Sequence, residues 1–444
     1  MGKNNRVYDD VVFLRRLPRG SDRNPLTRSH GVDRSRPTAT FATMKDAYII
    51  DAIRTPIGSF GGTLSPVRAD DLAAHVLKAL VDRHPDLDPA VIDDVVMGCA
   101  NQAGEDNRNV ARMALLLAGL PVSVPGETIN RLCASGMSSV VRAGQAIAAN
   151  AGDVFIAGGM EHMTRGPWVM NKTSTPYGRD AQLFDSSFGW RFVNPLMQEK
   201  YGIDAMGETA ENLLEKSTIT REDQDRFALW SQQKATAAQK EGRLAQEITP
   251  VSIPQRKKDP IIFAQDEFIK PNTTLEVLAG LRAAFRKGGS VTAGNSSGLN
   301  DGAAAALVAS EAGMKANGLK PLARIVSSGV AGVEPRIMGI GPVHATRIAL
   351  ERAGLTLDQM DVIELNEAFA AQALACTRIW GIADNDPRLN PNGGAIALGH
   401  PLGMSGARLL QTAALELQRT KKRYALCTMC IGVGQGHATV IERA

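Results

Sequence analysis

Cysteine is scarce in this chain: Cys99, Cys133, Cys376, Cys427 and Cys430 are the only five in 444 residues. So sparse and odd a set excludes a disulfide framework and points to reduced thiols and a cytoplasmic location. Cys427 and Cys430 have CxxC spacing, but no second pair or histidine cluster completes a zinc site, so no metal is expected. The pair also ends a strand-like run instead of opening a helix, which argues against a thioredoxin-type role. Long apolar runs are missing too. None is long enough to span a membrane, and the amino-terminal segment has no signal-peptide core. Nor is there an excess of charge in the body of the chain. The net charge is +4, but residues 1–43 hold nine Lys/Arg and four Asp, leaving 41 basic and 42 acidic residues beyond them. A neutral body excludes nucleic acid as its partner.

Residues 1–43 stand apart. They are rich in Arg, Pro, Ser, Asp and Asn, with Val11–Leu14 as their one apolar patch. The four Asp do not suit an organelle transit peptide. A disordered extension is expected, with a basic interaction arm as the alternative, and Met44 is a candidate start.

The body alternates short apolar runs with helical periodicity. Strands are expected at Ala47–Asp51, Asp94–Met97, Glu127–Arg131 and Val154–Ala157, then at Ala323–Ser327, Val362–Leu365 and Tyr424–Met429. Between the first of these lies a helix capped by Asp70, with Leu72, Val76, Leu77 and Leu80 on one face. Helices are expected near 343–353, 368–380 and 403–418. The pattern is a layered α/β architecture with mixed sheets. The implied organisation is a first half at 44–162 completed by 291–320, a loop domain at 163–290, and a second half at 321–444. The loop domain carries Trp168, Trp190 and Trp230 and one long helix, Arg221–Glu241. Such an insertion suits a lid, a binding loop or an oligomerisation element.

The two halves repeat. Cys133-Ala-Ser-Gly-Met-Ser138 is matched 267 positions later by His400-Pro-Leu-Gly-Met-Ser405, and Asp94-Val95 by Asp361-Val362 at the same offset. The duplication places a nucleophile and a base at equivalent points, so Cys133 and His400 can meet if the halves pack face to face. Cys133 falls between a strand and a helix, where the helix dipole favours thiolate; a buried structural cysteine is the alternative. His400 lies in a glycine-dense loop, including Gly393, Gly394, Gly399, Gly403 and Gly406, and a neutral imidazole there can take the Cys133 proton. Cys430 precedes a glycine-rich turn running to Gly436, whose free N–H groups can form an oxyanion hole. Asn366, after the strand Val362–Leu365, either holds a water or a developing negative charge, or caps the next helix.

At these residues the chain resembles the thiolase family, from about Met44 to Ala444. The resemblance is carried by Asn130-Arg-Leu-Cys-Ala-Ser-Gly136, Asn366-Glu-Ala-Phe369, Gly393-Gly-Ala-Ile-Ala-Leu-Gly-His-Pro-Leu-Gly403 and Cys430-Ile-Gly-Val-Gly-Gln-Gly436. It implies a duplicated αβαβα five-layer fold with an inserted loop domain. It implies that Cys133 is acylated, that His400 activates it and that Cys430 is the second acid/base. Asn366 would hold a water that forms one oxyanion hole with His400, and the backbone N–H groups of Cys133 and Gly432 would form the other. Coenzyme A would be a co-substrate, with no permanently bound cofactor, against Arg256, Phe285, Ala293, Ser297, Met206 and Phe369. A homodimer or homotetramer is implied as well. His162, where family members often carry Ser, is expected to have no catalytic role.

The stretches Gly98–Arg112, Gly189–Met197 and Ala331–Gly339 are most similar to the branch of the family that cleaves 3-oxoadipyl-CoA. The alternatives are a general 3-oxoacyl-CoA thiolase or acetyl-CoA C-acetyltransferase, a ketosynthase, and a non-enzymatic acyl-CoA-binding protein. The Cys-His-Cys set argues against a ketosynthase, and its completeness argues against a mere binding protein.

Overall fold

A computed structural model describes residues 44–215 and 217–444, so the extension expected at 1–43 lies outside the described residues. Nine principal strands share one mixed sheet: β1 (Ala47–Arg54), β2 (Asp94–Gly98), β3 (Gly126–Ile129), β4 (Val154–His162), β5 (Asn300–Ser310), β6 (Ala323–Gly332), β7 (Val362–Leu365), β8 (Tyr424–Ile431) and β9 (Gln435–Arg443). Their order is β7-β8-β9-β6-β1-β5-β4-β2-β3. The repeat is visible in that order. Outward from the centre, β1 meets β5, β4 and β2 with antiparallel, antiparallel and parallel pairing. Outward from β6 the same senses recur with β9, β8 and β7. The halves join where Tyr48 and Ile49 pair with Arg324 and Ala323. In the second half, the place of β3 holds only a bridge from Ile363 to Leu389.

Seven helices complete the layers: α1 (Ala69–Asp82), α2 (Val110–Leu117), α3 (Ser135–Ala148), α4 (Arg221–Lys240), α5 (Gly341–Ala353), α6 (Ala370–Trp380) and α7 (Leu402–Thr420). Strand alternation distributes the core among them. Ile49 and Ala52 of β1, with Ala304, Ala306 and Val308 of β5, face a central layer of α3 and α7. Ile50, Ile53, Ala303, Ala305 and Leu307 face α1 and α2 on one outer side. Helices α5 and α6 cover the other outer side over Ile363, Leu365 and Leu426. This is the five-layer αβαβα arrangement.

Several local expectations change. Strand β5 was not foreseen, because its Asn-Asp-Gly-Ala-Ala-Ala-Ala-Leu-Val-Ala-Ser sequence is poor in β-formers. Every one of its residues is buried, and tertiary packing overrides propensity. Asp70 does not cap α1: the helix begins at Ala69, and Asp70 sits inside its first turn, accepting from Arg68. The inserted segment contains α4, whose start is closed by a Thr220/Asp223 capping box. It also contains the hairpins Trp168–Met170/Leu183–Asp185 and Val251–Gln255/Lys258–Phe263, and the helix Met206–Leu214.

Candidate active site

The turn between β3 and α3 is held from several sides. Leu132 has a φ of 46°, unusual for a non-glycine residue. Asn130 Oδ1 accepts from Leu132 N at 2.9 Å. Ser135 Oγ accepts from Arg131 N at 2.9 Å and donates to Leu132 O at 2.6 Å. A backbone conformation this costly persists because its surroundings fix it, and its effect is to present Cys133, partly exposed, just before α3.

His400 occupies the equivalent position before α7 and is buried. Its Nδ1 lies 2.6 Å from Ser405 Oγ, which donates to Pro401 O at 2.8 Å. Ser405 therefore accepts from the ring, the proton belongs on Nδ1, and Nε2 keeps its lone pair. Asn366 Nδ2 is 3.4 Å from that Nε2, while Asn366 Oδ1 is buried without a partner. Helix α6 starts at Ala370 with Phe369 as its cap residue, so Asn366 is not a helix cap.

The starts of α3 and α7 touch. A side chain on Gly136 would collide with Gly403 O, and one on Gly406 would collide with the Met137 backbone. Gly136 and Gly403 are partners under the 267-residue offset, so the pseudo-dyad passes between them. The turn after β8 closes the cluster. Gly432 lies beside Leu132 and Met206, and its backbone N–H bonds the Cys133 sulfur. Cys430 is buried, and its thiol rises well above its usual value through burial and then through the nearby Cys133 charge. Cys427, by contrast, points into the central layer, so the CxxC spacing does not make a pair.

The electrostatics correct one expectation. The helix start does not leave Cys133 a low-pKa thiol. Burial pushes it up to about 11, against which the Gly432 amide bond acts, and Glu161 adds like-charge repulsion. His400 is pushed down to about 3 by burial and by Arg408. Both groups are thus neutral at rest, because burial penalises the charged form of each.

Most of the coenzyme A candidates gather at one mouth. Phe285 and Phe369 meet edge to face at 6.0 Å. Phe285 packs on Gly207, next to Met206, and Ser297 N donates to Ala368 O at 3.0 Å. Ala293 is exposed nearby in sequence. Arg256 occupies the exposed turn of the Val251–Phe263 hairpin, whose Val251, Ile253 and Phe263 pack into the outer core with α1. Lys270 stands near Ser297. Its Nζ sits 4.6 Å from the Phe268 ring centroid, and that ring packs on Gly298, beside Ser297.

Sequence reasoning also missed Ser405 and Glu161. Ser405 was in the repeated Gly-Met-Ser and could have been read as the imidazole's partner. Glu161 accepts from Ala100 N at 3.0 Å, Asn101 N at 3.0 Å and Gly403 N at 2.8 Å, tying the first half to the His400 loop. Burial raises it to about 7. His162 bonds the Leu64 carbonyl at 3.2 Å and faces Asp301, a structural setting.

This combination of a duplicated sheet and a Cys/His/Cys cluster at the meeting of two helix starts is that of a thiolase, and the chain belongs to the thiolase family. It matches the family description "Thiolase, N-terminal domain" over residues 47–312 and "Thiolase, C-terminal domain" over 319–443. More particularly, it is 61% identical over 400 residues to the 3-oxoadipyl-CoA/3-oxo-5,6-dehydrosuberyl-CoA thiolase of Escherichia coli, covering 90% of this chain and 100% of that one. It is 57% identical, with the same coverage, to a beta-ketoadipyl-CoA thiolase of Acinetobacter baylyi. The crystal structure of the Bacillus anthracis acetyl-CoA acetyltransferase superposes with a TM-score of 0.84 at 41% identity, covering 90% of this chain and all of that one. Human mitochondrial 3-ketoacyl-CoA thiolase gives 0.84 at 40% identity, covering 91% of this chain and all of that one.

Proposed function

We propose that the protein cleaves 3-oxoadipyl-CoA with free coenzyme A, yielding succinyl-CoA and acetyl-CoA. The observation that carries the chemistry is the contact between the two helix starts that bear Cys133 and His400, with Ser405 fixing the imidazole so that Nε2 is its basic nitrogen. The names of the most similar relatives support the substrate.

In this reading the Cys133 proton passes to His400 Nε2 as the sulfur attacks the 3-keto carbon. The C2–C3 bond then breaks, its electron pair leaves with the acetyl-CoA enolate, and Cys430 delivers a proton to C2. The succinyl group stays on Cys133 as a thioester. The thiol of the second coenzyme A, deprotonated at the same site, attacks that thioester and restores the Cys133 thiol. Asn366 would hold the water that completes one oxyanion hole with His400, and the N–H groups of Cys133 and Gly432 would form the other. Coenzyme A is a co-substrate, lying along Arg256, Met206, Phe285, Ala293, Ser297 and Phe369. No permanent cofactor is needed for these steps. We place the enzyme in the cytoplasm as a homodimer or homotetramer, with two halves, an inserted loop domain at 163–290 and a dispensable segment at 1–43. Among the described residues no helix is long and apolar enough to cross a membrane.

The test is coenzyme A-dependent cleavage of 3-oxoadipyl-CoA, acetoacetyl-CoA and longer 3-oxoacyl-CoAs, with mass analysis of the trapped enzyme. A succinyl adduct on the Cys133 peptide is expected; an adduct elsewhere would overturn the mechanism.

A further inference from the structure

We propose that Arg191 binds the distal carboxylate of the acyl chain and thereby sets a preference for carboxylate-terminated 3-oxoacyl-CoAs. The inference deepens the dicarboxylic substrate reading above and rests on it. A carboxylate leaving water for an enzyme site needs a cation with several N–H donors. Three arginines stand near the catalytic turn or its neighbouring loops, and the structure separates them.

Arg165 is already occupied. Its Nε and Nη2 fork onto Glu105 at 2.7 and 2.5 Å, and Nη1 donates to Ser65 O. Arg131 is two residues from Cys133 but turns away: Nε donates to Ser138 Oγ at 3.0 Å, and Nη1 lies 3.5 Å from Gln435 Oε1. Arg191 has no acidic partner among the described residues. Its Nη1 donates to Ser186 O at 3.3 Å and its Nη2 to Asn101 Oδ1 at 3.0 Å. A guanidinium has five donors in a planar fork, so the remaining ones are free for a bidentate carboxylate.

The two anchors are themselves fixed at the catalytic loop. Asn101 Nδ2 donates to Ser186 Oγ at 3.2 Å, and Asn101 N donates to Glu161. The preceding Ala100 carbonyl accepts from Asn130 Nδ2 at 2.9 Å, in the turn that presents Cys133. On the other side, Trp190 Nε1 donates to Asp204 O at 3.3 Å, next to the Met206–Leu214 helix at the coenzyme A mouth. Arg191 thus has no carboxylate partner among the described residues, and it is tied through Asn101 to the loop beside Asn130 and through its neighbour Trp190 to Asp204, before the Met206–Leu214 helix.

The test compares wild type with Arg191→Ala, Arg191→Gln and Arg191→Lys on 3-oxoadipyl-CoA and acetoacetyl-CoA. For the Ala and Gln variants, kcat/KM on 3-oxoadipyl-CoA is expected to fall about 10- to 100-fold, mostly through KM, as for loss of a charged hydrogen bond. Acetoacetyl-CoA turnover, which also reports folding, should stay within about twofold. The Lys variant should be intermediate, since it keeps the charge and loses the fork. Equal losses on both substrates, or no loss on either, would overturn the assignment. The wild type tests the substrate reading separately. A preference for acetoacetyl-CoA would remove that reading, while the role of Arg191 would still be decided by the change in the ratio between the two substrates.

Discussion

At the reacting atoms, two neutral groups must exchange a proton before anything else happens. Below its pKa a thiol gains thiolate tenfold per pH unit, so with Cys133 near 11 its alkylation by iodoacetamide should climb steadily through pH 7–10. A plateau in that range, the mark of a thiolate–imidazolium pair, would contradict neutral resting groups. His400→Ala should lower the rate of Cys133 acylation by about 10²–10⁴, the usual worth of general base catalysis. Cys430→Ser should leave acylation measurable but suppress deuterium exchange into acetyl-CoA at C2; full exchange would remove Cys430 from the proton-transfer role. The candidate set was legible because Cys133 and His400 share a repeat. The Cys133 pKa was not: a helix start is visible in sequence, but the burial that raises the thiol is a product of the tertiary fold.

Among elements, α3 and α7 are restricted most tightly. Gly136→Ala would drive a methyl into the Gly403 carbonyl, a backbone atom that cannot swing aside as a side chain could. Forced repacking of this kind costs typically about 1–3 kcal/mol. The expected result is a lower melting temperature together with lost activity, whereas Gly119→Ala, at a φ of 84° with open space around it, should cost stability without touching turnover. Strands rich in Val, Ile or alternating apolar residues, such as β1 and β8, could be placed from sequence. Strand β5 could not, since its alanines suit a sheet only because helices crowd both of its faces.

For the molecule as a whole, a buried ionic network ties the inserted segment to both halves. Arg54 bonds Asp266 at 2.7 and 2.9 Å and Glu247 at 3.0 Å, and Arg243 joins Glu247 at 2.8 Å and Glu416 at 3.4 Å. Removing one partner leaves buried charge uncompensated, so Arg54→Met should destabilise by about 3–5 kcal/mol in chemical unfolding. Glu247 titrates below its usual range even though burial alone would raise it, because Arg243 and Arg54 outweigh that burial. A depressed carboxylate contributes stability above its unfolded pKa and loses it as pH falls through the folded one, so wild-type stability should decline on acidification below about pH 4.5. The seam between the halves also bears on how the enzyme is made. Cys133 is synthesised before Cys430, Gly432 and the whole of β9, and β9 is the strand that joins β6 to β8. A nascent chain that stops short of residue 430 carries the proposed nucleophile without the proposed second acid or the Gly432 amide. The proposed chemistry therefore waits on synthesis past β9, and a ribosome stalled before residue 430 displays a thiolase sequence without the cluster that the reaction would use.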